Sequence, residues 1–289
     1  MDNEHRPTVA VIGGGQLARM MQESAIALGI ALRALVEAPD GSGGQAIVDA
    51  PVGDPRDLAA VLALIEGADV LTFEHEHIPA AVLEACAPLV AIEPPAAALL
   101  HAQDKLAMRE RLTAMGVPCP RWARVKTRAD LEAFGAAVGW PLVVKTPRGG
   151  YDGHGVKAVH QARDADPWLG EGPLLAEEMV PFTREVAALL ARRPSGEIRS
   201  WPVASTVQED GVCSAVTAPA VGIRPATADL ARRIGEDIAE RLGVTGVLAV
   251  EMFVVGEGDQ ERVLVNELAM RPHNTGHWTI DGAVTSQFE

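Results

Sequence analysis

Two glutamates in apolar runs are the first residues in this chain with a chemistry to declare. Val247-Leu-Ala-Val-Glu251-Met-Phe-Val-Val255 and Arg262-Val-Leu-Val-Asn266-Glu267-Leu268 read as strands on either side of the turn-like segment 256–261. A hairpin symmetric about Asp259 sets Glu251 opposite Glu267, each eight residues from that centre. Directly opposed carboxylates repel. A Mg²⁺ between them reverses the sign, and Mg²⁺ characteristically takes one or two carboxylates together with substrate phosphates. The plain alternative is a pair of solvated strand glutamates, against which stands the apolar character of the run around Glu251.

Phosphate chemistry has candidates as well. Leu142-Val-Val-Lys145 reads as a buried strand ending in a lysine, followed by Thr146-Pro-Arg-Gly149-Gly150-Tyr151-Asp152-Gly153-His154-Gly155. A lysine at a strand end beside a glycine loop puts a point charge and bare N–H groups against phosphates; a solvent-exposed hairpin is the simpler reading. Lys105 lies at a helix start, where the dipole disfavours a cation unless an anion binds beside it. Arg271-Pro-His273-Asn274-Thr-Gly-His277 packs a guanidinium, an amide and two imidazoles directly after the proposed metal strand, a donor density that suits a small anion or its phosphorylated derivative. Glu177-Glu178-Met179-Val180 ends a strand and offers an edge to an adenine, or is an ordinary sheet rim. Glu74-His75-Glu76 follows a strand, at the sheet edge where open α/β sheets hold ligands, so its carboxylates are candidates for ribose hydroxyls.

One motif points elsewhere. Gly13-Gly-Gly-Gln16-Leu-Ala18 fits GxGxxA after a strand, and Glu37 closes the next strand at about the distance used to hold a ribose, the pattern of a nicotinamide oxidoreductase. Its helix N-terminus predicts a phosphate or ribose near Gly15.

The elements that must position these residues alternate in the first third of the chain: strand Thr8–Ile12, helix Gln16–Leu28, strand Ala31–Val36, helix Asp54–Glu66, strand Val70–Phe73, helix Pro79–Cys86, strand Leu89–Ile92. This predicts a mostly parallel sheet in a Rossmann-like domain over residues 1–102. A helix from Asp104 to Met115, a strand Arg121–Lys126 and a helix begun by a Thr127/Asp130 capping box come next. From Leu174 to Ala218 alternating runs suggest an antiparallel sheet, and Leu230, Ile234, Ile238 and Leu242 mark one amphipathic helix stopped by Gly243. The fold class is α/β followed by α+β, and at 289 residues the chain is long enough for two domains.

With Lys+Arg 25 against Asp+Glu 39, the net charge of −14 disfavours nucleic acid and anionic membranes as partners. The longest uncharged stretch, Gly211–Ile223, is too short and too polar to span a bilayer, and the start carries no signal-peptide pattern. Three cysteines without a CxxC pair fit a reducing, cytoplasmic setting.

Together, Gly13-Gly-Gly-Gln-Leu-Ala-Arg-Met20, Thr72-Phe-Glu-His-Glu-His77, Gln103-Asp-Lys105, Val144-Lys145, the Gly149–Gly155 loop, Asn266-Glu267, Arg271-Pro-His-Asn-Thr-Gly-His-Trp-Thr279 and Thr285-Ser-Gln-Phe-Glu289 resemble the ATP-grasp superfamily, specifically its N5-carboxyaminoimidazole ribonucleotide synthetase family, ATP-dependent carboxylases of purine synthesis. The resemblance implies an ATP-grasp fold behind a Rossmann-like pre-ATP-grasp domain, with a small lid subdomain over 103–175 and a large subdomain over 176–289. It implies that Lys105 and Lys145 contact ATP phosphates, that Gly150, Tyr151, Asp152, Gly153, His154 and Gly155 close over them, and that Asn266 joins the nucleotide site. Glu177, Glu178, Met179 and Val180 would border the adenine and Glu185 would hold the ATP ribose. Glu251 and Glu267 would bind Mg²⁺. Tyr151, Asp152, His154, Arg271, His273 and Asn274 would surround bicarbonate and the aminoimidazole ribonucleotide, with Gln16 and Glu76 near its sugar. A homodimer is implied too.

Three departures from the family stand out. Met270 replaces a common proline, and Ala204–Gly211 lacks a histidine often found there. The chain ends at Glu289, inside an expected helix, where relatives continue with a basic segment for the ribonucleotide phosphate. Two other functions stay open on the sequence: a nicotinamide oxidoreductase built on Gly13–Ala18, and a non-catalytic ATP-binding remnant.

Overall fold

The first third builds outward from one strand. Thr8–Ile12 forms β1, whose residues alternate between two cores: Ala10 and Ile12 enter one apolar cluster and Val11 the other. Helix α1 (Gln16–Ala27), strand β2 (Ala31–Leu35), helix α2 (Leu58–Ile65), strand β3 (Val70–Phe73), helix α3 (Ala80–Cys86), strand β4 (Ala91–Ile92) and helix α4 (Ala96–Gln103) follow. The strands pair in parallel in the order β2-β1-β3-β4, which their apolar character and the intervening helices require. Helix α4 has no counterpart in the sequence reading. The structure, a computed structural model, describes residues 6–150, 154–209 and 211–289.

Asp104 then caps helix α5 (Lys105–Ala114), its carboxylate accepting from the N–H groups of Leu106 and Ala107. Strand β5 (Trp122–Val125), helix α6 (Arg128–Val138), strands β6 (Leu142–Lys145), β7 (Val156–Val159) and β8 (Leu174–Glu178) complete an antiparallel sheet in the order β5-β8-β6-β7. The capping box that opens α6 is present as the Thr127/Asp130 spacing predicts. This unit has its own core around Val125, Leu131, Leu142 and Val144.

The third sheet holds β9 (Phe182–Arg192), β10 (Ile198–Ser200), β11 (Ala204–Glu209), β12 (Val212–Thr217), β13 (Gly246–Val255) and β14 (Arg262–Ala269). Its order is β12-β11-β9-β13-β14, with β10 on β9. Helix α7 (Pro225–Leu242) packs on it and stops at Gly243, whose φ of +65° is left-handed. Its predicted apolar row fits only in the middle. A four-residue period outruns the helical turn of 3.6, so the row rotates off the buried face, and Leu230 ends 38% exposed while Ile238 is fully buried. The first and third sheets share one core, from Phe73 and Leu83 through Met108 to Leu190, Val250 and Val265. Helix α8 (Thr279–Gly282) is short. Residues 283–285 bend instead of continuing it, and Ser286 Oγ accepts from the N–H groups of Phe288 and Glu289 in the manner of a helix N-cap. The helix expected through Thr285–Glu289 therefore does not run through Thr285. Among the described residues, no helix is long and apolar enough to cross a membrane.

Candidate active site

The three sheets meet around a cavity of about 690 Å³, and most of the candidate residues line it. Strand β6 delivers Lys145, α5 delivers Lys105, and the β13–β14 hairpin delivers Glu251, Asn266 and Glu267. Glu251 stands in register with Glu267, as the symmetric hairpin predicts. The route to that register is unexpected. Next to the turn the pairing is Val255 with Arg262 and Met252 with Val265, which is centred half a residue early, and a bulge at Asn266 restores it. Strict alternation would send Asn266 and Glu267 to opposite faces. The bulge brings both to the cavity, where Asn266 Oδ1 accepts from Lys145 Nζ at 3.0 Å and Glu267 Oε1 from Lys105 Nζ at 2.6 Å.

A buried ionic chain lies beneath. Arg109, fully buried, donates through Nε to Glu177 and through Nη2 to the main-chain oxygen of Asn266 at 2.6 Å. Glu177 also holds Lys145 Nζ at 2.8 Å. Burial would raise the Glu177 carboxyl, but Lys145 and Arg109 outweigh it and bring it down to about 2. The Glu177 side chain is thus an inward charge partner of the lysine, and its neighbours Met179 and Val180 are the ones that present apolar surface to the cavity. Glu178 lines the cavity too while accepting from the Arg121 N–H at 2.9 Å. Phe182 and Phe253, stacked at 4.7 Å, extend that apolar wall, and Glu185, opposite Phe253 in the sheet, also lines the cavity with its carboxyl raised by burial.

The two opposed glutamates have opposite protonation tendencies. Glu267, against the cost of burial, is held below the usual carboxylate range by Lys105. Glu251 is pushed up to about 7 by burial and by Glu267 and Glu185. A carboxylate raised by its own neighbours is one that a cation would relieve. Among the described residues, no three His, Cys, Asp or Glu side chains are arranged to hold a metal ion by themselves. The donor set present, two carboxylates and an amide oxygen, fits Mg²⁺ only with phosphate oxygens completing its shell.

On the opposite wall, Arg271 Nε donates to Glu76 Oε2 at 3.1 Å, so two residues expected on the ribonucleotide are paired across the first and third sheets. His273 Nδ1 accepts from the Thr275 N–H at 3.4 Å and faces the Thr275 hydroxyl at 2.9 Å. A main-chain N–H can only donate, so the ring proton sits on Nε2, which points toward Glu251 Oε1 at 3.6 Å. Burial and the Arg271 charge lower His273 to about 3, leaving a neutral ring with one N–H aimed into the cavity.

Asn274, Gly150 and His154 also line the cavity. Gln16 is exposed and, with Gly155, is not among the lining residues; Leu17 takes that place. Tyr151, Asp152 and Gly153 lie outside the described residues.

The GxGxxA turn behaves differently from its expectation. Glu74 Oε2 accepts from the Gly15 N–H and Oε1 from the Leu17 N–H, at 2.5 and 3.2 Å, and Glu37 accepts from Gly14 at 3.3 Å. The helix N-terminus predicted to take a phosphate near Gly15 is capped by the protein's own carboxylate. The glycines serve that cap: a Cβ at Gly15 would lie 2.3 Å from Glu74 Oε1. The N–H groups a pyrophosphate would need are already taken by Glu74 and Glu37, and the oxidoreductase reading loses its basis.

Sequence reasoning missed Arg109. Its signal was available, since it falls four residues after Lys105 and three before Leu112, on the face of α5 that must be buried.

Comparison with known proteins agrees with this geometry. Residues 7–103 match the ribonucleotide synthetase preATP-grasp domain and residues 110–288 the ATP-grasp domain. N5-carboxyaminoimidazole ribonucleotide synthase of Mycobacterium tuberculosis is 50% identical over 98% of this chain and 67% of its own length. A solved carboxyaminoimidazole ribonucleotide synthase of Aspergillus clavatus complexed with ATP superposes with a TM-score of 0.91 at 33% identity, over 98% of this chain and 75% of the other. The same organism's enzyme in complex with ADP and 5-aminoimidazole ribonucleotide gives 0.89 at 33% identity, over 98% and 74%. The chain belongs to the ATP-grasp family, and within it to the N5-carboxyaminoimidazole ribonucleotide synthases. It spans about two thirds of the length of its mycobacterial relative.

Proposed function

We propose that the chain carboxylates 5-aminoimidazole ribonucleotide with bicarbonate at the expense of ATP, by way of carboxyphosphate, giving N5-carboxyaminoimidazole ribonucleotide, ADP and phosphate. The observation that carries this reading is the convergence of two lysines, two opposed glutamates and the 271–274 loop on one cavity.

In this reading Lys105 and Lys145 leave their carboxylates for the phosphates of ATP, while the slot formed by Met179, Val180, Phe182 and Phe253 takes the flat base and Glu185 the ribose. Gly149, Gly150 and His154, which line the cavity, would face the phosphates. Glu251 and Glu267, with Asn266, would hold Mg²⁺, whose chemistry is charge neutralisation on the phosphates. A bicarbonate oxygen attacks the γ-phosphorus and ADP departs. The exocyclic amine then takes the carboxyl carbon as phosphate leaves and the amine loses a proton. His273 supplies an Nε2–H to a carboxyl oxygen, Asn274 a further amide donor, and Arg271, oriented by Glu76, balances the anion. The catalytic contribution is positioning and electrostatics. A division into residues 1–102, 103–175 and 176–289, a homodimer and a cytoplasmic setting complete the proposal.

The test is ADP release with bicarbonate and Mg²⁺, with and without aminoimidazole ribonucleotide, in the parent and in Glu267→Gln. Release that depends on the ribonucleotide, with altered Mg²⁺ dependence in the variant, is expected. ADP release indifferent to the ribonucleotide would refute the carboxylation, and equal Mg²⁺ dependence would refute the metal assignment.

A further inference from the structure

Gln287 is buried at 3% exposure, lies outside the cavity lining, and makes a pair of hydrogen bonds that resembles a strand pairing. Its Oε1 accepts from the His273 N–H at 2.8 Å and its Nε2 donates to the His273 carbonyl at 2.9 Å. Both main-chain groups of one cavity residue are thereby held by one side chain. The main chain of Gln287 is fixed in turn: its N–H donates to Thr279 Oγ1 at 2.9 Å, and that hydroxyl donates to the Gly276 carbonyl at 2.6 Å. Space is closed around the amide, since a Cβ at Gly276 would lie 2.3 Å from Gln287 Oε1. The next residue, Phe288, packs against the α1 side of the first sheet, on the cluster of Val11, Ala18 and Met21, and its ring lies 6.0 Å from that of His277.

We propose that Gln287 is a positioning residue for the carboxyl-acceptor half of the site: it sets the main chain of His273, and so the aim of the His273 ring, at a fixed place relative to the first sheet. This rests on the function proposed above. The physical reason is that three short side-chain links, Gln287 to His273, Thr279 to Gly276 and Phe288 to the first sheet, leave the loop 273–277 no independent hinge. The His273 ring is then held a second time through Thr275. Lys145 hangs on a separate network through Glu177 and Arg109, and Lys105 on Glu267; none of these bonds includes Gln287.

Gln287→Met keeps the length and removes both hydrogen bonds; Gln287→Glu keeps the acceptor for the His273 N–H and loses the donor to its carbonyl. Steady-state kinetics, ATP titration and hydrogen–deuterium exchange are measured for the parent, both variants and His273→Ala. Gln287→Met is expected to raise the KM for aminoimidazole ribonucleotide or lower coupled turnover on the order of 10- to 100-fold, with faster exchange over residues 271–277 and unchanged ATP affinity. Gln287→Glu should lie between Gln287→Met and the parent. A general packing role would weaken ATP binding in parallel, which overturns the proposal, as does parent-like handling of the ribonucleotide by Gln287→Met when His273→Ala is impaired. If His273→Ala itself handles the ribonucleotide like the parent, the placement of the acceptor site fails and the proposal falls with it. Should Gln287→Met fail to fold, Thr279→Val, which removes the hydroxyl under Gln287, is expected to show the same split between ribonucleotide and ATP, and a parallel loss of both would overturn the proposal.

Discussion

At the start of α1, Glu74 accepts from the main-chain N–H groups of Gly15 and Leu17, and at the mouth of β6 and α5, Glu177 and Glu267 fill the reach of Lys145 and Lys105. Both places attract anions and both hold one of the protein's own, yet they have different fates. Main-chain donors cannot move, and Gly13 and Gly15 let the carboxylate approach closely, since a Cβ at either would lie within about 3 Å of Glu74. Although Glu74 and Leu17 line the cavity, the first site is sealed in the sense that its donors are already taken, and it works as a helix cap. Lysines have four-carbon stems and can exchange one oxygen ligand for another with small movements. In the proposed function the second site is held in readiness: its cations, paired here with Glu177 and Glu267, would become available when phosphates arrive. A phosphate-binding signature in a sequence consequently means less than the identity of the carboxylate that reaches it.

The largest effect that would break this comparison is on stability. Arg109→Ala leaves Glu177 buried with Lys145 alone and the Asn266 carbonyl without its donor, and should cost about 3–5 kcal/mol in urea unfolding. A neutral result would mean that the ionic chain does not support the site. Next, Lys145→Ala should weaken ATP binding by about 1.5–3 kcal/mol, roughly 10- to 150-fold in Kd, by titration calorimetry. Unchanged affinity would put the lysine with the sealed carboxylates, outside the nucleotide site.

A subtler contrast involves Glu251. Its carboxyl is raised to about 7, so the folded protein binds more protons than the unfolded chain between about pH 4.5 and pH 7, and this group's contribution to stability falls as pH rises through that window. Glu251→Gln removes the titration. Without metal or nucleotide, the parent should lose stability relative to Glu251→Gln from pH 4.5 to 7, read from denaturant midpoints at each pH. A pH-independent difference would show that Glu251 is not crowded by Glu267 and Glu185. The smallest effect is at the sealed site: Glu74→Ala should cost about 1 kcal/mol in stability, as loss of a helix cap does, and leave ATP affinity unchanged. Weaker ATP binding in that variant would erase the distinction between the two places.

The local order of this chain was legible in its residues. Strand Thr8–Ile12 and strand Val70–Phe73 fall where their apolar runs end and the Thr127/Asp130 capping box forms, because strand limits and caps depend on neighbours close in sequence, whereas Glu251 meets Glu267 only because the bulge at Asn266 corrects the register set at the turn. Helix α4 and the short α8 were not legible, since an all-round small apolar run and a four-residue turn carry no periodicity.

What the sequence determined by itself was the set of reacting residue types and their order along the chain. What only the tertiary structure decided was which charge meets which. Arg109 finds Glu177 across 68 positions and Asn266 across 157, Gln287 holds His273 through a turn, and Glu74 closes the turn at Gly15 from 59 positions away. Such pairings have no local signature, because a carboxylate's nearest cation is set by how sheets pack against one another. That packing depends on apolar area spread over the whole core, while the sequence pattern constrains only one element at a time.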